Sequence, residues 1–268
     1  MASRILKVQK MVNSFIKRSH SSLSKEVFSA SKAILGWEQT PFIIDKVGKF
    51  NVVRDDLLIG GTKVRILIDV LNELDEEEIV YSADHYGYGQ LALAVTCEIL
   101  NKKCKLVTKR PQVVTEVMRK VLNNTRAQYL FLDNFESQKD IELTCRKISE
   151  ARNSIVLPVG FDFPLFNIKA AEMFKSFPLE PEQVWTLSGS GTLCRAMIRA
   201  WPNSDIRCVS LGFPHANTGN AVVYHSKQAS WEKANNPPPY PSCLEYDAKL
   251  WDYVQKLGSE GSFIWNVA

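Results

Sequence analysis

One short segment of the chain has the residue types that surround a phosphate group. Ser188-Gly-Ser-Gly-Thr192 lies between an apolar stretch that predicts a strand and a stretch that predicts a helix. Small residues let the backbone approach an oxyanion closely, and the N–H groups of a helix start favour negative charge. The segment is neither a Walker A loop, because no lysine follows the glycines, nor the GxGxxG dinucleotide pattern. By itself it is equally compatible with a strand-to-helix turn that binds nothing.

A second candidate is Lys63, which follows Gly60-Gly61-Thr62 and opens a predicted helix. A lysine amine at a buried, positive helix start loses its proton more easily, as a nucleophilic amine that forms a Schiff base must. Considered alone, Lys63 is better explained as a solvated surface residue, because most lysines are exposed.

A third candidate is the polar turn from 82 to 90, which follows a short apolar strand. Proteins that alternate strands and helices place ligands at such turns. His85, Tyr86 and Tyr88 could lie against a planar ring or titrate beside it. The alternative is a tight turn whose aromatic side chains pack locally.

The elements that must position these residues alternate along the chain. Apolar runs predict strands near 49–54, 79–82, 104–108, 128–132, 154–159, 184–187 and 206–211. Helical periodicity falls near 63–74, 91–100, 113–122, 141–151, 168–177, 193–200 and 246–254. This alternation predicts an α/β fold with mostly parallel sheets.

Composition narrows the functional classes. The chain has 268 residues, of which 45% are apolar, and a net charge of +4, which allows an anionic partner without demanding one. No apolar run reaches the roughly 18 residues that span a bilayer, so no membrane contact is predicted. Six cysteines without a CxxC pair predict buried free thiols, not disulfides or a zinc site, and no metal is expected. We therefore expect a reducing, cytoplasmic location.

The first 25 residues carry six basic residues, many serines and no acidic residue. That composition is similar to a mitochondrial transit peptide. An amphipathic surface helix explains it better, because Ile5, Val8, Val12, Phe15 and Ile16 recur at helical spacing.

Four segments, in this order, resemble the tryptophan-synthase-β-like, or fold type II, enzymes that depend on pyridoxal phosphate (PLP). Within that family the resemblance is to 1-aminocyclopropane-1-carboxylate (ACC) deaminase and D-cysteine desulfhydrase. The segments are Arg54-Asp-Asp-Leu-Leu-Ile-Gly-Gly-Thr-Lys63-Val-Arg65, Ile155-Val-Leu-Pro-Val-Gly160, Ser188-Gly-Ser-Gly-Thr192 and Leu244-Glu-Tyr246-Asp247-Ala-Lys249.

The resemblance implies a role for each candidate residue. Lys63 would form the Schiff base with PLP and move the α-proton of the substrate. The phosphate would be held by Ser188, Gly189, Ser190, Gly191 and Thr192. Asp247 would keep the pyridine nitrogen protonated, which makes the ring a strong electron sink. Tyr246 would lie near the substrate.

The sequence also departs from the family pattern. The family places an asparagine beside the PLP 3-hydroxyl, where this chain offers His85, Gly87 or Tyr88. We assign Tyr88 to the cofactor and His85 to catalysis. The serine-asparagine pair that helps to open the cyclopropane ring is absent, which argues against that reaction. Gly-Phe-Asp-Phe-Pro at 160–164 replaces the usual Gly-Gly-Ser-Asn.

The tail, from Pro-Tyr-Pro-Ser-Cys243 to the final Phe-Ile-Trp-Asn-Val-Ala, resembles that of short bacteriophage PLP enzymes of thymidine hypermodification. That resemblance implies decarboxylation of an amino acid, such as serine, attached to thymidine in phage DNA, in the host cytoplasm. The alternative is deamination or β-elimination of a small free amino acid, as in D-cysteine desulfhydrase. A third hypothesis is a fold that binds cofactor or a partner without turnover.

The family resemblance further implies two domains with the cofactor in the cleft between them, and a homodimer. We expect the larger domain to combine 1–65, including an N-terminal helical segment over 1–40, with 156–268. The smaller domain would be 66–155.

Overall fold

The computed structural model describes residues 41–133, 137–152, 154–213 and 216–268. The helical segment predicted over residues 1–40, and the transit peptide considered as its alternative, lie outside the described residues.

The described chain alternates strands and helices, as the sequence predicts. The strands are β1 (Ile44–Val47), β2 (Phe50–Arg54), β3 (Glu78–Ser82), β4 (Lys103–Lys109), β5 (Gln128–Leu132), β6 (Ile155–Leu157), β7 (Gln183–Ser188), β8 (Asp205–Ser210), β9 (Val222–His225) and β10 (Phe263–Asn266). The helices are α1 (Thr62–Asn72), α2 (Gly89–Ile99), α3 (Glu116–Asn124), α4 (Gln138–Arg152), α5 (Pro164–Lys175), α6 (Thr192–Ala200) and α7 (Trp251–Leu257). Short 3₁₀ turns cover Asp55–Leu57, Val159–Phe161 and Asp247–Leu250.

The strands form two sheets. A six-stranded sheet has the order β1-β2-β10-β7-β8-β9, and a four-stranded sheet has the order β5-β4-β3-β6. Only β1 and β2 pair antiparallel among the strands that the structure describes. The α/β fold with mostly parallel sheets is confirmed.

The alternation of side chains along each strand separates the core into layers. In β10, Phe263 and Trp265 face a core cluster that also includes residues of the small sheet. Ile264 faces a second cluster, on the other side of the large sheet. Successive residues of a strand point to opposite faces, so β10 is buried on both. Helix α1 packs against both α2 and α5, which joins the two sheets through one core.

Strands β9 and β10 are not predicted from the sequence. The final six residues carry no predicted element, whereas β10 lies in the middle of the large sheet between β2 and β7. Four residues give too short an apolar run to separate a strand from a helix end, and the pairing partners of β10 lie far away in sequence. The C-terminal segment therefore belongs to the core.

Trp265 of β10 is completely buried and supplies one polar group to the core. Its indole Nε1 donates to Asp55 Oδ2 at 3.2 Å and lies 3.0 Å from Thr62 Oγ1. Changing Trp265 to Phe keeps most of the ring but removes this donor from a buried carboxylate. We expect a loss of roughly 1–3 kcal/mol in the free energy of unfolding, measured by urea denaturation. Trp231→Phe is the control, because Trp231 is 64% exposed and its replacement should change little.

No helix in the described part of the chain is long and apolar enough to cross a membrane.

Candidate active site

The segments named by the sequence follow the carboxyl ends of parallel strands. Ser188 ends β7, the turn that carries Tyr88 follows β3, and the loop that carries Gly160 follows β6. Parallel strands bring such ends to one edge of a sheet, where α/β proteins place their ligands. The segments after β3 and β6 therefore share an edge of the small sheet, and the contact between Gly160 and Ser190 joins them to the end of β7 in the large sheet.

Lys63 lies in the first turn of α1 and its amine has no polar partner among the described residues. Lys63 Nζ stands 5.3 Å from the centroid of the Phe161 ring. Part of the Lys63 side chain is exposed to solvent. Protein atoms nevertheless surround its amine, and the resulting desolvation lowers the pKa of Lys63 to about 8. Burial is the only cause of this shift, which gives the amine a larger neutral, nucleophilic fraction near neutral pH than an ordinary lysine has.

Phe161 is the ring against which Lys63 lies, and its position is tightly fixed. It is fully buried and stacks on Tyr81, with ring centroids 4.9 Å apart. Its φ of 60° is in the left-handed region that side chains rarely adopt. A Cβ on Gly89 would lie 2.8 Å from the Tyr81 hydroxyl and 3.3 Å from Phe161, so only glycine fits there. The start of α2 thus packs directly against this aromatic pair.

The loop from Ser188 to Thr192 connects β7 to α6 through Gly191, whose φ is 86°. Ser190 Oγ and Thr192 Oγ1 lie 2.9 Å apart in a mutual hydrogen bond. Ser188 is buried, and its hydroxyl lies against the Cys194 thiol. Hydroxyls and helix N–H groups are thereby collected at one helix start, which is the arrangement that binds phosphate.

Asp247 is buried, and only one of its two carboxylate oxygens has a hydrogen-bond partner among the described residues. Ala268 N donates to Asp247 Oδ2 at 2.8 Å, whereas Oδ1 is buried without a partner among the described residues. Desolvation raises the pKa of Asp247 well above its usual range, and the backbone N–H groups of 267 and 268 only partly oppose it. A cationic or N–H group placed at Oδ1 would stabilise the ionised form.

Tyr246 lies beside the loop from Ser188 to Thr192. The Tyr246 hydroxyl would stand 3.4 Å from a Cβ at Gly189, which is ordinary van der Waals contact and places the phenol against this loop. Burial raises the pKa of Tyr246, which keeps the phenol protonated, although a hydrogen bond from the Gly189 backbone opposes the shift. The phenol is thus a protonated group beside the loop from Ser188 to Thr192.

These residues close into a ring of contacts, which we call the contact ring. On one side, Lys63 contacts Phe161, and the neighbouring Gly160 contacts Ser190. Gly189, which precedes Ser190, contacts Tyr246, and Tyr246 is followed in sequence by Asp247. On the other side, Asp247 binds Ala268, the neighbouring Val267 binds Thr62, and Thr62 precedes Lys63. A Cβ on Gly160 would lie 2.3 Å from Ser190 Oγ, which places these two loops in contact. Thr62 N donates to Val267 O at 3.0 Å, which closes the ring on the other side.

Two predicted site residues lie outside the contact ring. Tyr88 precedes α2, its hydroxyl is 3.4 Å from Lys120 Nζ, and it also hydrogen-bonds with the Cys243 thiol. His85 Nε2 lies 2.8 Å from the carbonyl oxygen of Lys109 at the end of β4. The structure places Tyr88 next to the segment that carries Asp247, while no described contact joins His85 to Lys63. Their assigned roles stay predictions.

The sequence does not reveal that Phe161 and Cys243 belong to this region. It also does not reveal the buried partners of Thr62, which are Asp55 and Trp265. Burial, with nearby Asp247 and Glu245, raises the pKa of Cys243 to about 11, so its thiol stays protonated. The signal for Phe161 was present in the sequence, since Gly-Phe-Asp-Phe-Pro departs from the family pattern. A bulky residue where small polar ones are usual predicts a changed wall of the site.

Comparison with solved structures finds close agreement in fold. The chain matches an ACC deaminase homologue with a TM-score of 0.69 and 12% identity, over 85% of this chain and 89% of that one. It matches threonine deaminase isoform 2 of Solanum lycopersicum with a TM-score of 0.62 and 14% identity, over 91% and 85% of the two chains. Both are fold type II PLP enzymes. This chain has the fold type II architecture.

Escherichia coli diaminopropionate ammonia lyase in its apo form is a further fold type II match, with a TM-score of 0.57 and 12% identity, over 92% of this chain and 87% of that one. No family profile and no curated protein sequence matches the chain. The resemblance to fold type II enzymes is confirmed, whereas the comparisons give no support to the predicted link with bacteriophage DNA.

Proposed function

We propose that the chain binds PLP and uses it to deaminate, or to β-eliminate from, a small free amino acid. The observation that carries this proposal is the Lys63 amine, which is desolvated, has no polar partner among the described residues and belongs to the contact ring. Burying an unpaired lysine amine costs stability, and groups with such strongly perturbed pKa values cluster at functional sites.

The residues present fit the cofactor at three points. Lys63 Nζ would hold its aldehyde carbon, the loop from Ser188 to Thr192 would hold its phosphate, and Asp247 Oδ1 would accept from its ring nitrogen. Asp247 Oδ1 is buried without a partner among the described residues, as expected of a group that a ligand satisfies. When bound, PLP supplies an electron sink for charge that develops at the substrate α-carbon.

The side chains of this chain would then bind and move protons. With its pKa lowered to about 8, Lys63 can accept a proton and return it near neutral pH. Asp247 would supply negative charge at the ring nitrogen. Phe161 and Tyr81 exclude water from the side of the site on which Lys63 lies. Tyr246, held protonated by burial, would donate to an oxyanion at the phosphate end.

Deamination or elimination is preferred to decarboxylation because of the structural neighbours. Their names describe an ACC deaminase homologue, a threonine deaminase and a diaminopropionate ammonia lyase. Opening of a cyclopropane ring is not proposed, because the serine-asparagine pair expected for it is absent from the sequence. Decarboxylation of an amino acid carried on thymidine has no supporting observation in the fold.

The test is a substrate panel on PLP-loaded protein. The D and L forms of serine, threonine, cysteine and 2,3-diaminopropionate are assayed for ammonia and 2-oxo acid, with an aminoacyl-thymidine conjugate assayed for CO2. We expect ammonia from at least one free amino acid. Release of CO2 from the conjugate without ammonia from any amino acid would favour the decarboxylase instead. Bound PLP without any turnover would favour the non-enzymatic hypothesis.

Gly191 provides a direct test of the phosphate loop. A Cβ there would lie 2.0 Å from the carbonyl oxygen of Asn217, so Gly191→Ala must displace the loop. Losing one good hydrogen bond to a charged group costs roughly 1.5–3 kcal/mol, so we expect PLP to bind about tenfold more weakly or worse in a fluorescence titration. Gly212→Ala is the control, because Gly212 also has a positive φ, of 78°, but open space around its Cβ position. Equal affinities in the two variants would contradict the assignment.

We also propose a homodimer. The test is light scattering of the purified protein, which should give about twice the 30.3 kDa mass of the chain.

A further inference from the structure

Arg195 contacts two loops beside the candidate site, and the chemistry proposed above gives it no role. It ends the first turn of α6, where its backbone N–H donates to Gly191 O at 3.1 Å. Its guanidinium donates through Nη2 to Asp162 Oδ1, on the loop that follows β6. Through Nη1 it donates to the carbonyl oxygen of Asn217, on the segment between β8 and β9. We call these two side-chain contacts the Arg195 clasp.

The first contact of the clasp is with the peptide group that holds the loop from Ser188 to Thr192. Asn217 N donates to Ser190 O at 2.9 Å, while Asn217 O accepts from Arg195. A Cβ on Gly191 would lie 2.0 Å from Asn217 O, so nothing larger than glycine fits between the loop and this peptide group. The backbone of Asn217 therefore connects Arg195 directly to the residues that would hold the cofactor phosphate.

The second contact lies next to the ring that packs against Lys63. Asp162 directly follows Phe161, and Asp162 Oδ1 also accepts from Asn167 Nδ2 at 3.1 Å. A cofactor held by Lys63 at one end and by the loop from Ser188 to Thr192 at the other needs a fixed separation between these ends, because its ring is rigid. The Arg195 clasp joins the segments on which both ends depend.

The clasp is poorly suited to stabilising the whole fold. The side chains of Arg195 and Asp162 are 21% and 42% exposed, and exposed ion pairs contribute little to the free energy of unfolding. Ordering a loop before its ligand arrives is a different effect, since it removes an entropy cost that binding would otherwise carry. Arginine suits this task because its planar fork can donate to two acceptors at once.

We propose that Arg195 is a positioning residue that orders the loop from Ser188 to Thr192 against the loop that carries Phe161. The benefit of this order, tighter binding of the cofactor phosphate, rests on the proposed function. The order itself belongs to the cofactor-free chain and can be measured there.

The first measurement is hydrogen–deuterium exchange of the full chain without cofactor. Arg195→Met is compared with Arg199→Met, which removes the same charge from an exposed position one turn further along α6. We expect amides of residues 188–192 to exchange about tenfold faster in Arg195→Met, because the order of about one backbone residue is worth a factor of that size. Exchange there should be unchanged in Arg199→Met, and urea denaturation should show that both variants remain folded.

The second measurement is ligand binding by the same chains. The ligands are PLP, pyridoxine 5′-phosphate, which lacks the aldehyde, and pyridoxal, which lacks the phosphate. Arg195→Met should bind both phosphate esters about tenfold more weakly, which equals about 1.4 kcal/mol, and should bind pyridoxal as wild type does. Arg195→Lys keeps the charge but cannot reach two acceptors with a fork, so it should resemble Arg195→Met.

Wild-type exchange at residues 188–192 in Arg195→Met would overturn the proposal. Wild-type affinity for the phosphate esters would overturn it as well, and full rescue by lysine would assign the effect to charge alone. If Arg195→Met does not fold, exchange in Arg195→Lys decides by the same criterion. Faster exchange in the variant of a protein that takes up no PLP would support the ordering role and contradict the proposed function, so the two failures are distinguishable.

Discussion

Replacing Lys63 with alanine should lower the turnover number by roughly 10³-fold or more and remove the visible absorption of the PLP-loaded protein. The amine would serve as both the covalent attachment point and the proton carrier, and a positioned acid or base alone contributes about 10²–10⁴-fold. Stability should not fall, because burial of the unpaired amine opposes folding and its removal strands no hydrogen-bond partner among the described residues. Steady-state assays and absorbance spectra on the same preparation measure both effects.

The matched control is Lys102→Met. Lys102 is also partly buried, but its amine donates to the carbonyl oxygens of Leu74 at 2.6 Å and Glu76 at 2.9 Å, away from the contact ring. This variant should keep its colour and its turnover. If Lys63→Ala retains turnover within about tenfold of wild type, the assignment of the reactive amine is wrong.

Changing Asp247 to Asn should lower the turnover number while the protein remains folded. Removing the negative charge at the ring nitrogen would weaken the electron sink, and loss of one such preorganised electrostatic group costs about 10²–10³-fold in turnover. The amide can still accept from Ala268 N, which donates to Asp247 Oδ2 at 2.8 Å in the native chain. Steady-state kinetics on PLP-saturated protein should therefore show reduced turnover in a chain that remains folded.

The same substitution should stabilise the cofactor-free protein at neutral pH. Burial raises the folded-state pKa of Asp247 above its value in the unfolded chain, so the folded state binds the proton more tightly. The stability from this group is present below the unfolded-state pKa and is lost as pH rises through the folded-state pKa. Asparagine does not titrate, so we expect a higher free energy of unfolding at neutral pH, measured by urea denaturation of the cofactor-free chain. A variant less stable than wild type between about pH 5 and 8 would contradict this account.

Much of the fold could be predicted from the sequence because its signals are local. Apolar runs such as Ile79 to Ser82 and Val184 to Leu187 lie at observed strands, and the helices between them have clear periodicity. The C-terminal strand was missed, since nothing local reveals that Phe263 to Asn266 pairs with β2 and β7. Sheet order depends on contacts that are distant in sequence.

The candidate site was partly predictable for the same reason. Lys63, the loop from Ser188 to Thr192 and Asp247 stand in short motifs that resemble a known family, and the contact ring brings them together. The identity of their neighbours was not predictable. Phe161 contacts Lys63 from a loop nearly a hundred positions further along the chain and has an unusual positive φ, and the buried Asp55 carboxylate accepts from Trp265, 210 positions away in sequence.

The most direct test of the central claim is borohydride reduction of the PLP-loaded protein, followed by peptide mass spectrometry. We expect a yellow protein that retains its colour through dialysis and, after reduction, one pyridoxyl group on the peptide that carries Lys63. The Asp247→Asn chain should carry the label on the same lysine. A protein that stays colourless after PLP is added and dialysed away, or one labelled only on other lysines, would contradict the account and leave the Ser188 to Thr192 loop without an assigned ligand.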